Sequence, residues 1–191
     1  MKELIFEIVY GEDIEICRDL CNELMAFQKS KAHFRPELFD FMNFETRMKL
    51  SYGKAEKSQV IIVKDGIVPV GYVFSSIDLV EIADKRAFPS WFSNAQEGMQ
   101  GFYPEWVELP QKIGCLNNLY LREEYRGLGL GEKLFDKTMA WLHSFSDTEL
   151  TFVYVSNGNE IALDFYLTRG FTFSHDVFGG FIKAAYRYKG N

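Results

Sequence analysis

Cysteine is scarce in this chain: Cys17, Cys21 and Cys115 are the only three in 191 residues. An odd, sparse set excludes a disulfide framework. Cys17 and Cys21 stand four apart in a helical pattern and share a face. With no second ligand pair at zinc spacing, they read as two small buried residues. The three histidines, His33, His143 and His175, are scattered, so no metal site is expected. Long apolar runs are missing too, and no stretch approaches the ~20 apolar residues of a membrane helix. The opening MKELIFEIVY carries Glu3 and Glu7 inside its apolar run and has no cleavage site after it, unlike a signal peptide. The expected location is the cytoplasm, with no membrane partner. Basic residues do not dominate: 21 Lys and Arg face 27 Asp and Glu, a formal net charge of −6. That balance argues against nucleic acid as a partner and leans towards a small cationic one.

What is present suits a folded domain. Hydrophobic residues make up 47% of the chain, and a chain of this length buries roughly 70% of the surface its unfolded form exposes. Residues 4–10 read as a strand. Residues 14–28 carry Cys17, Leu20, Cys21 and Leu24 as a helical stripe, with Asp13 as the N-cap. A second helix is expected over 37–51, after Pro36. QVIIVK and IVPVGYVFSSI flank Asp65-Gly66 as a hairpin, which puts Pro69 near a strand start or bulge. Strands are expected over 115–121 and 149–155, with a helix over 130–144 between them. Asn157 and Glu160 form a capping box for a helix running to about Thr168, and Gly170 closes it. Two last strands, 171–178 and 182–189, turn at Gly179-Gly180. No repeat, linker or low-complexity tract interrupts the chain, so residues 1–191 read as one α+β domain. Residues 79–113 are the least regular part, rich in Phe88, Trp91, Phe92, Phe102, Tyr103 and Trp106.

A different absence marks the stretch YRGLGLGEKLF, residues 125–135. No Ser, Thr, Asp or Asn lies between Arg122 and Phe135, so the usual N-cap side chains are missing where a helix begins. Gly127, Gly129 and Gly131 stand there instead, each costing about 1 kcal/mol inside a helix relative to alanine. A helix start has free N–H groups and a positive dipole end, where phosphate is the natural ligand. A simple tight turn would also use glycines. Two familiar phosphate loops fail: Glu132 stands where a dinucleotide fingerprint needs glycine, and Gly131 is followed by Glu132, Lys133 and Leu134 rather than by Lys and Ser or Thr.

The remaining pattern, Arg126-x-x-Gly129-x-Gly131 soon after a strand, resembles the acyl-CoA pyrophosphate loop of the GNAT superfamily of N-acetyltransferases. Downstream, NEIALDFYLTRGF resembles that family's second motif through Asn159, Ala162, Phe165, Tyr166, Gly170 and Phe171. The likeness is good from about residue 58 to 189, and the long stretch 79–113 departs from the family. The resemblance implies a twisted, mostly antiparallel sheet of about seven strands with a splayed parallel pair, flanked by about four helices.

The resemblance also implies a mechanism, with acetyl-CoA as cosubstrate lying between strands 115–121 and 149–155. Backbone groups of Leu119, Tyr120 and Leu121 pair with the pantetheine arm. Arg126 and the amides of Gly127, Leu128, Gly129, Leu130, Gly131 and Glu132 hold the pyrophosphate. A bulge near Leu121 turns its N–H onto the thioester carbonyl. Asn159 touches the pantetheine arm, or is a second capping residue. Tyr166, two turns and about 10 Å further along the helix, gives its proton to the leaving thiolate, or is ordinary packing. Relatives often place a carboxylate base just before Leu119, but here those positions are Asn117 and Asn118. Glu37, Asp40, Glu81 and Glu108 are unranked candidates for a base reached through water, or an acceptor arriving neutral needs none. The expected activity is transfer of an acetyl group to a primary amine of a small molecule or protein. The alternative is a non-catalytic acyl-CoA sensor. The aromatic stretch 79–113 covers the sheet, walls the acceptor pocket, or forms a homodimer contact.

Overall fold

The computed structural model describes residues 4–89, 92 and 98–190. Its centre is a seven-stranded sheet in the order β1-β2-β3-β4-β5-β7-β6. The strands are β1 (Leu4–Val9), β2 (Lys57–Asp65), β3 (Val68–Val80), β4 (Gln111–Leu121), β5 (Thr148–Ser156), β6 (Thr172–Val177) and β7 (Ile182–Tyr188). Every neighbouring pair is antiparallel except β4 and β5, which run parallel. The helices are α1 (Arg18–Lys31), α2 (Leu50–Lys54), α3 (Leu130–His143) and α4 (Glu160–Leu167), joined by short 3-10 and π turns.

Both faces of the sheet are covered, which is why QVIIVK shows no alternation of polar and apolar residues. Val60 and Ile62 pack with Leu20, Leu24, Tyr72 and Phe74 on the α1 face, while Ile61 and Val63 pack with Val73, Leu134 and Phe135 on the α3 face. Strands buried on two sides need apolar residues at every position. The hairpin turns at Asp65-Gly66 as expected, with Gly66 at φ +63. The register shifts between Val63 and Lys64, opposite Pro69, because proline has no N–H to give the ladder.

Three local expectations need correction. Gly11–Cys17 is a 3-10 helix that runs straight into α1, so Asp13 caps nothing; Cys17 itself has helical geometry. The single helix expected over 37–51 is broken. Pro36–Phe41 is a 3-10 turn, and Asn43 then leaves helical geometry at φ −150. Its side chain accepts hydrogen bonds from Glu45 N and Thr46 N, while Thr46 Oγ1 accepts one from Asn43 N, so a new start is capped mid-pattern. Phe44–Lys49 follows as a π turn before α2. The third correction concerns α4. Its N-cap is Asn159, which accepts from Ala162 N at 3.4 Å, rather than Asn157.

The irregular stretch is shorter than 79–113, because β3 runs to Val80 and β4 starts at Gln111. Its described aromatics cover the β5–β7 half of the α1 face. Phe88, Phe92 and Phe102 surround the Phe178 ring at 4.9–5.5 Å. Trp106 lies 4.7 Å from the Tyr186 ring and Tyr103 sits edge-on to Phe152. His175, buried in β6, fastens the segment through Nε2 to Gly101 O at 2.9 Å. Trp91 lies outside the described residues.

Asn157 does other work. Its side-chain oxygen accepts from His33 N at 2.7 Å and Phe34 N at 2.8 Å, and its Nδ2 donates to Phe34 O and Phe181 O. These bonds tie the end of α1 to the end of β5. On the β4 side, Arg122 bonds Glu23 of α1 at 2.8 Å, and the Arg126 guanidinium lies 4.9 Å from the Phe27 ring. From Glu23 to its C-terminal end, α1 therefore bridges from β4 to β5. The bridge is closely seated at Gly158, where φ is +78 and an added Cβ would lie 1.9 Å from the Lys31 carbonyl oxygen. Gly158→Ala should thus destabilise the protein by more than the about 1–3 kcal/mol of the backbone strain alone. Urea denaturation checks this, and an unchanged midpoint would contradict the tight seating.

Candidate active site

The parallel pair is incomplete. β4 and β5 pair from Lys112↔Thr148, shift register before Ile113↔Leu150, continue to Leu116↔Val153 and then part, although both strands continue. Asn117, Leu119 and Tyr120 are consequently only half-buried, in the central strand of a sheet covered on both faces. The phase of β4 follows from its other neighbour. Arg122 N donates to Val70 O at 2.9 Å, and the register continues through Tyr120↔Tyr72 and Asn118↔Phe74. In an antiparallel ladder the bonded residues alternate. The N–H and C=O groups of Leu119 and Leu121 therefore face the gap, and those of Tyr120 face β3. The Tyr120 ring instead lies 5.7 Å from the Arg126 guanidinium.

The expected bulge near Leu121 falls elsewhere. Leu121 pairs regularly with Gly71, and the register breaks between Phe74 and Ser75, leaving Asn117 as the extra residue. The cause is visible around it: Asn117 Nδ2 donates to Ser76 Oγ at 2.8 Å, so its side chain turns back along the strand instead of alternating. Asn118, next in line, is buried and donates to Tyr72 Oη at 2.8 Å.

The glycine loop lies at the open end of the gap. Gly127 and Gly129 have φ +73 and +74, a region that favours glycine, and nothing lies within 4 Å of where a Cβ would stand on either. Gly131 is different: its φ is ordinary and an added Cβ would meet only Leu121 Cδ1, at 3.7 Å. Neither strain nor crowding within the chain demands glycine there. No side chain caps α3, and its first internal bond is Lys133 N to Gly129 O. The six N–H groups from Gly127 to Glu132 make no hydrogen bond among the described residues. Leu128 is exposed and Leu130 is buried under the loop. Arg126 Nε donates to Leu121 O at 3.0 Å, which braces the loop against β4. The Glu132 carboxylate is 3.5 Å from Arg169, on α3's flank.

Asn159 and Tyr166 stand at the two ends of α4. The Asn159 carbonyl serves the cap, which leaves its Nδ2 without a partner among the described residues. Tyr166 is buried among Phe135, Phe165 and Phe171. Its hydroxyl has no hydrogen bond among the described residues. Burial raises its pKa, and the Cys115 sulfur on β4 adds to the rise, so the phenol stays protonated. Burial likewise pushes the Cys115 thiol up to about 12. Cys17 and Cys21 are buried and free, as the sequence suggests.

The four carboxylates proposed as bases are all exposed. Glu37 pairs with Arg35 and Asp40 with Lys29, while Glu81 caps the turn at Ile82–Arg86. Glu108 lies in the covering segment, where its backbone carbonyl accepts from Gln111. Sequence reasoning passed over Asp78, half-buried on β3 and bonded to Ser76. Its signal was present: counting by twos from Tyr72 through Phe74 and Ser76 puts a lone acid on the face that α1 covers.

Among the described residues there is no group of His, Cys, Asp or Glu that could hold a metal, and no helix long and apolar enough to cross a membrane. A family model described as the acetyltransferase (GNAT) family matches residues 19–171. No curated protein matches the sequence. Solved structures share the fold at low identity. An acetyltransferase from Thermus thermophilus is 17% identical with a TM-score of 0.60, covering 97% of each chain. The PaiA N-acetyltransferase of Thermoplasma acidophilum, solved with coenzyme A, is 12% identical with a TM-score of 0.62, over 97% of this chain and 99% of its own. Arabidopsis thaliana NAA60, solved with acetyl-CoA, is 13% identical with a TM-score of 0.55, over 98% of each chain. With the family model matching most of its length and the strands parting beside an uncapped glycine loop, this chain belongs to the acetyltransferase (GNAT) family.

Proposed function

We propose that the protein transfers the acetyl group of acetyl-CoA to a primary amine by direct attack of the amine on the thioester. The observation that carries this reading is the row of six amides at the start of α3, beside the gap, that have no partner among the described residues. Backbone N–H groups at a helix N-terminus suit a pyrophosphate, and the open space at Gly127 and Gly129 leaves room for one. The pantetheine arm carries amides of its own, which suit the gap-facing backbone of Leu119 and Leu121. Arg126 already occupies the Leu121 carbonyl, so Leu121 offers its N–H. The bulge at Asn117 makes Leu119 N–H the first gap-facing amide beyond it and the donor to the thioester oxygen, while Leu121 N–H, about 7 Å further along the strand, is left for the pantetheine arm.

In the reaction the amine nitrogen bonds the acetyl carbon and the C–S bond breaks. Tyr166 protonates the departing thiolate, a role suited to a phenol held protonated by burial. An acyl-cysteine route through Cys115 is disfavoured, because a thiol pushed up to about 12 carries little thiolate at neutral pH. A non-catalytic acyl-CoA sensor would bind acetyl-CoA without releasing thiol, so a thiol-release assay with a pooled amine library separates the two.

Two variants test the assignment. Gly131 needs no special backbone, so Gly131→Val should leave the melting temperature nearly unchanged while branching into the space before the amides. Calorimetry should show acetyl-CoA binding weakened at least about tenfold, or ~1.4 kcal/mol. Unchanged affinity would remove the loop from the binding site. Tyr166→Phe keeps the ring and should lower kcat by roughly 10²–10⁴-fold with acetyl-CoA affinity intact. Full activity would leave Tyr166 as packing.

A further inference from the structure

The acceptor amine must lose a proton, and neither Asn117 nor Asn118 can take it. A chain of hydrogen bonds nevertheless leads away from the bulge along the α1 face. Asn117 Nδ2 donates to Ser76 Oγ at 2.8 Å, and Ser76 Oγ donates to Asp78 Oδ2 at 2.9 Å. Ser76 lies opposite Cys115 and Asp78 opposite Ile113, so the chain runs down β3 beside the closed part of the parallel pair. Three features of Asp78 stand out. It forms no ion pair among the described residues, whereas Glu7, Glu15, Glu23, Glu45 and Glu56 all do. Its second oxygen, Oδ1, accepts no hydrogen bond among the described residues and is not sealed by them. The ionisable groups around it are Glu56 before β2, Asp84 after β3, Cys115 on β4, Tyr103 of the covering segment and Tyr154 on β5. The cations nearby serve other groups: Lys112 on β4 is paired with Glu56 and Asp147, and Arg47 acts on Cys115.

Resting on the N-acetyltransfer reading, we propose that Asp78, held in place by Ser76, takes the proton of a cationic amine acceptor that enters on the α1 face. The ammonium nitrogen passes a proton through intervening water to Asp78 Oδ1, the open oxygen, while the buried Ser76 keeps its own proton and donates it to Oδ2. The amine is left neutral for attack and Asp78 is left as the acid, which returns its proton to water from Oδ1. Asn117 holds the Ser76 oxygen in line. Asp78 lies about 7 Å along the strand from Ser76, so it positions and receives the proton without touching the reacting carbon. Burial, helped by Glu56 and Asp84, raises the Asp78 pKa, which makes it a better base than a solvated carboxylate.

The test is a pH profile of kcat/KM in thiol release, with acetyl-CoA and a panel of aliphatic primary mono- and diamines, for the parent, Asp78→Asn and Ser76→Ala. The parent should gain activity as pH rises through the Asp78 pKa, since the carboxylate is the working form. Asp78→Asn should lose that limb and about 10²-fold or more of its rate at pH 7. It should recover towards the parent near pH 10, where the amines arrive neutral. Its acetyl-CoA affinity should not change. Ser76→Ala should show the same pattern with the carboxylate in place, and it decides the matter if Asp78→Asn does not fold. Variants that keep the parent's profile overturn the role of Asp78 and leave the acetyltransferase reading standing. A parent that binds acetyl-CoA but acetylates no amine of the panel overturns both.

Discussion

Where β4 and β5 part after Leu116 and Val153, backbone groups in the middle of a sheet lose their partners. A buried peptide group without a hydrogen bond costs free energy comparable to the bond it lost. The gap is therefore stable only if water or another extended chain fills it and if the two strands are held at a fixed spread. The rest of the molecule supplies that spread. The parallel pair is closed at its lower end by its own ladder. At its upper end α1 spans it, bonded to β4 through Arg122–Glu23 and to β5 through Asn157. The covering segment, stacked around Phe178, packs the β5–β7 half of the same face.

The two sides of the gap divide the chemistry. On the α3 face stand the glycine loop, its amides and Tyr166, the groups proposed to hold an anionic, amide-bearing ligand and to protonate its leaving group. On the α1 face stand Asn117, Ser76 and Asp78, and among the described residues no cation pairs with Asp78, Lys112 being held by Glu56 and Asp147. An anion at one end and a carboxylate at the other would draw a cationic amine towards an acyl donor from opposite sides. Bulk net charge, −6 here, says nothing of this arrangement; it is the placement of a few groups that matters.

Much of the α3 face was legible in the sequence because it rests on local rules. Three alternating glycines without a capping side chain mark a helix start with uncapped amides, and six N–H groups without a partner among the described residues are found there. The stripe Leu130, Leu134, Phe135, Thr138, Met139 and Leu142 is buried as its spacing requires. The α1 face was read less well because its decisive contacts are long-range. Asn157 looked like a cap for the next helix, yet its partners are His33 and Phe34, 124 and 123 residues away. Asn43 broke an expected helix because a capping residue inside a helical pattern is weighed against apolar spacing, and the spacing continued past it. The bulge at Asn117 depends on its bond to Ser76, 41 residues distant, which no local signal carries. The aromatics of the connection were legible as a cover, with the sheet as one of three options; the described ones pack there, although Trp106 stays exposed.

The central claim is that the uncapped amides of residues 127–132 and the gap-facing amides of Leu119 and Leu121 hold acetyl-CoA. Amide hydrogen exchange, read residue by residue with and without saturating acetyl-CoA, tests it most directly. The expected result is slowed exchange at those amides, with Tyr120 N–H, already bonded to β3, unchanged. Binding confirmed by calorimetry that leaves residues 127–132 exchanging as fast as in the free protein would contradict it.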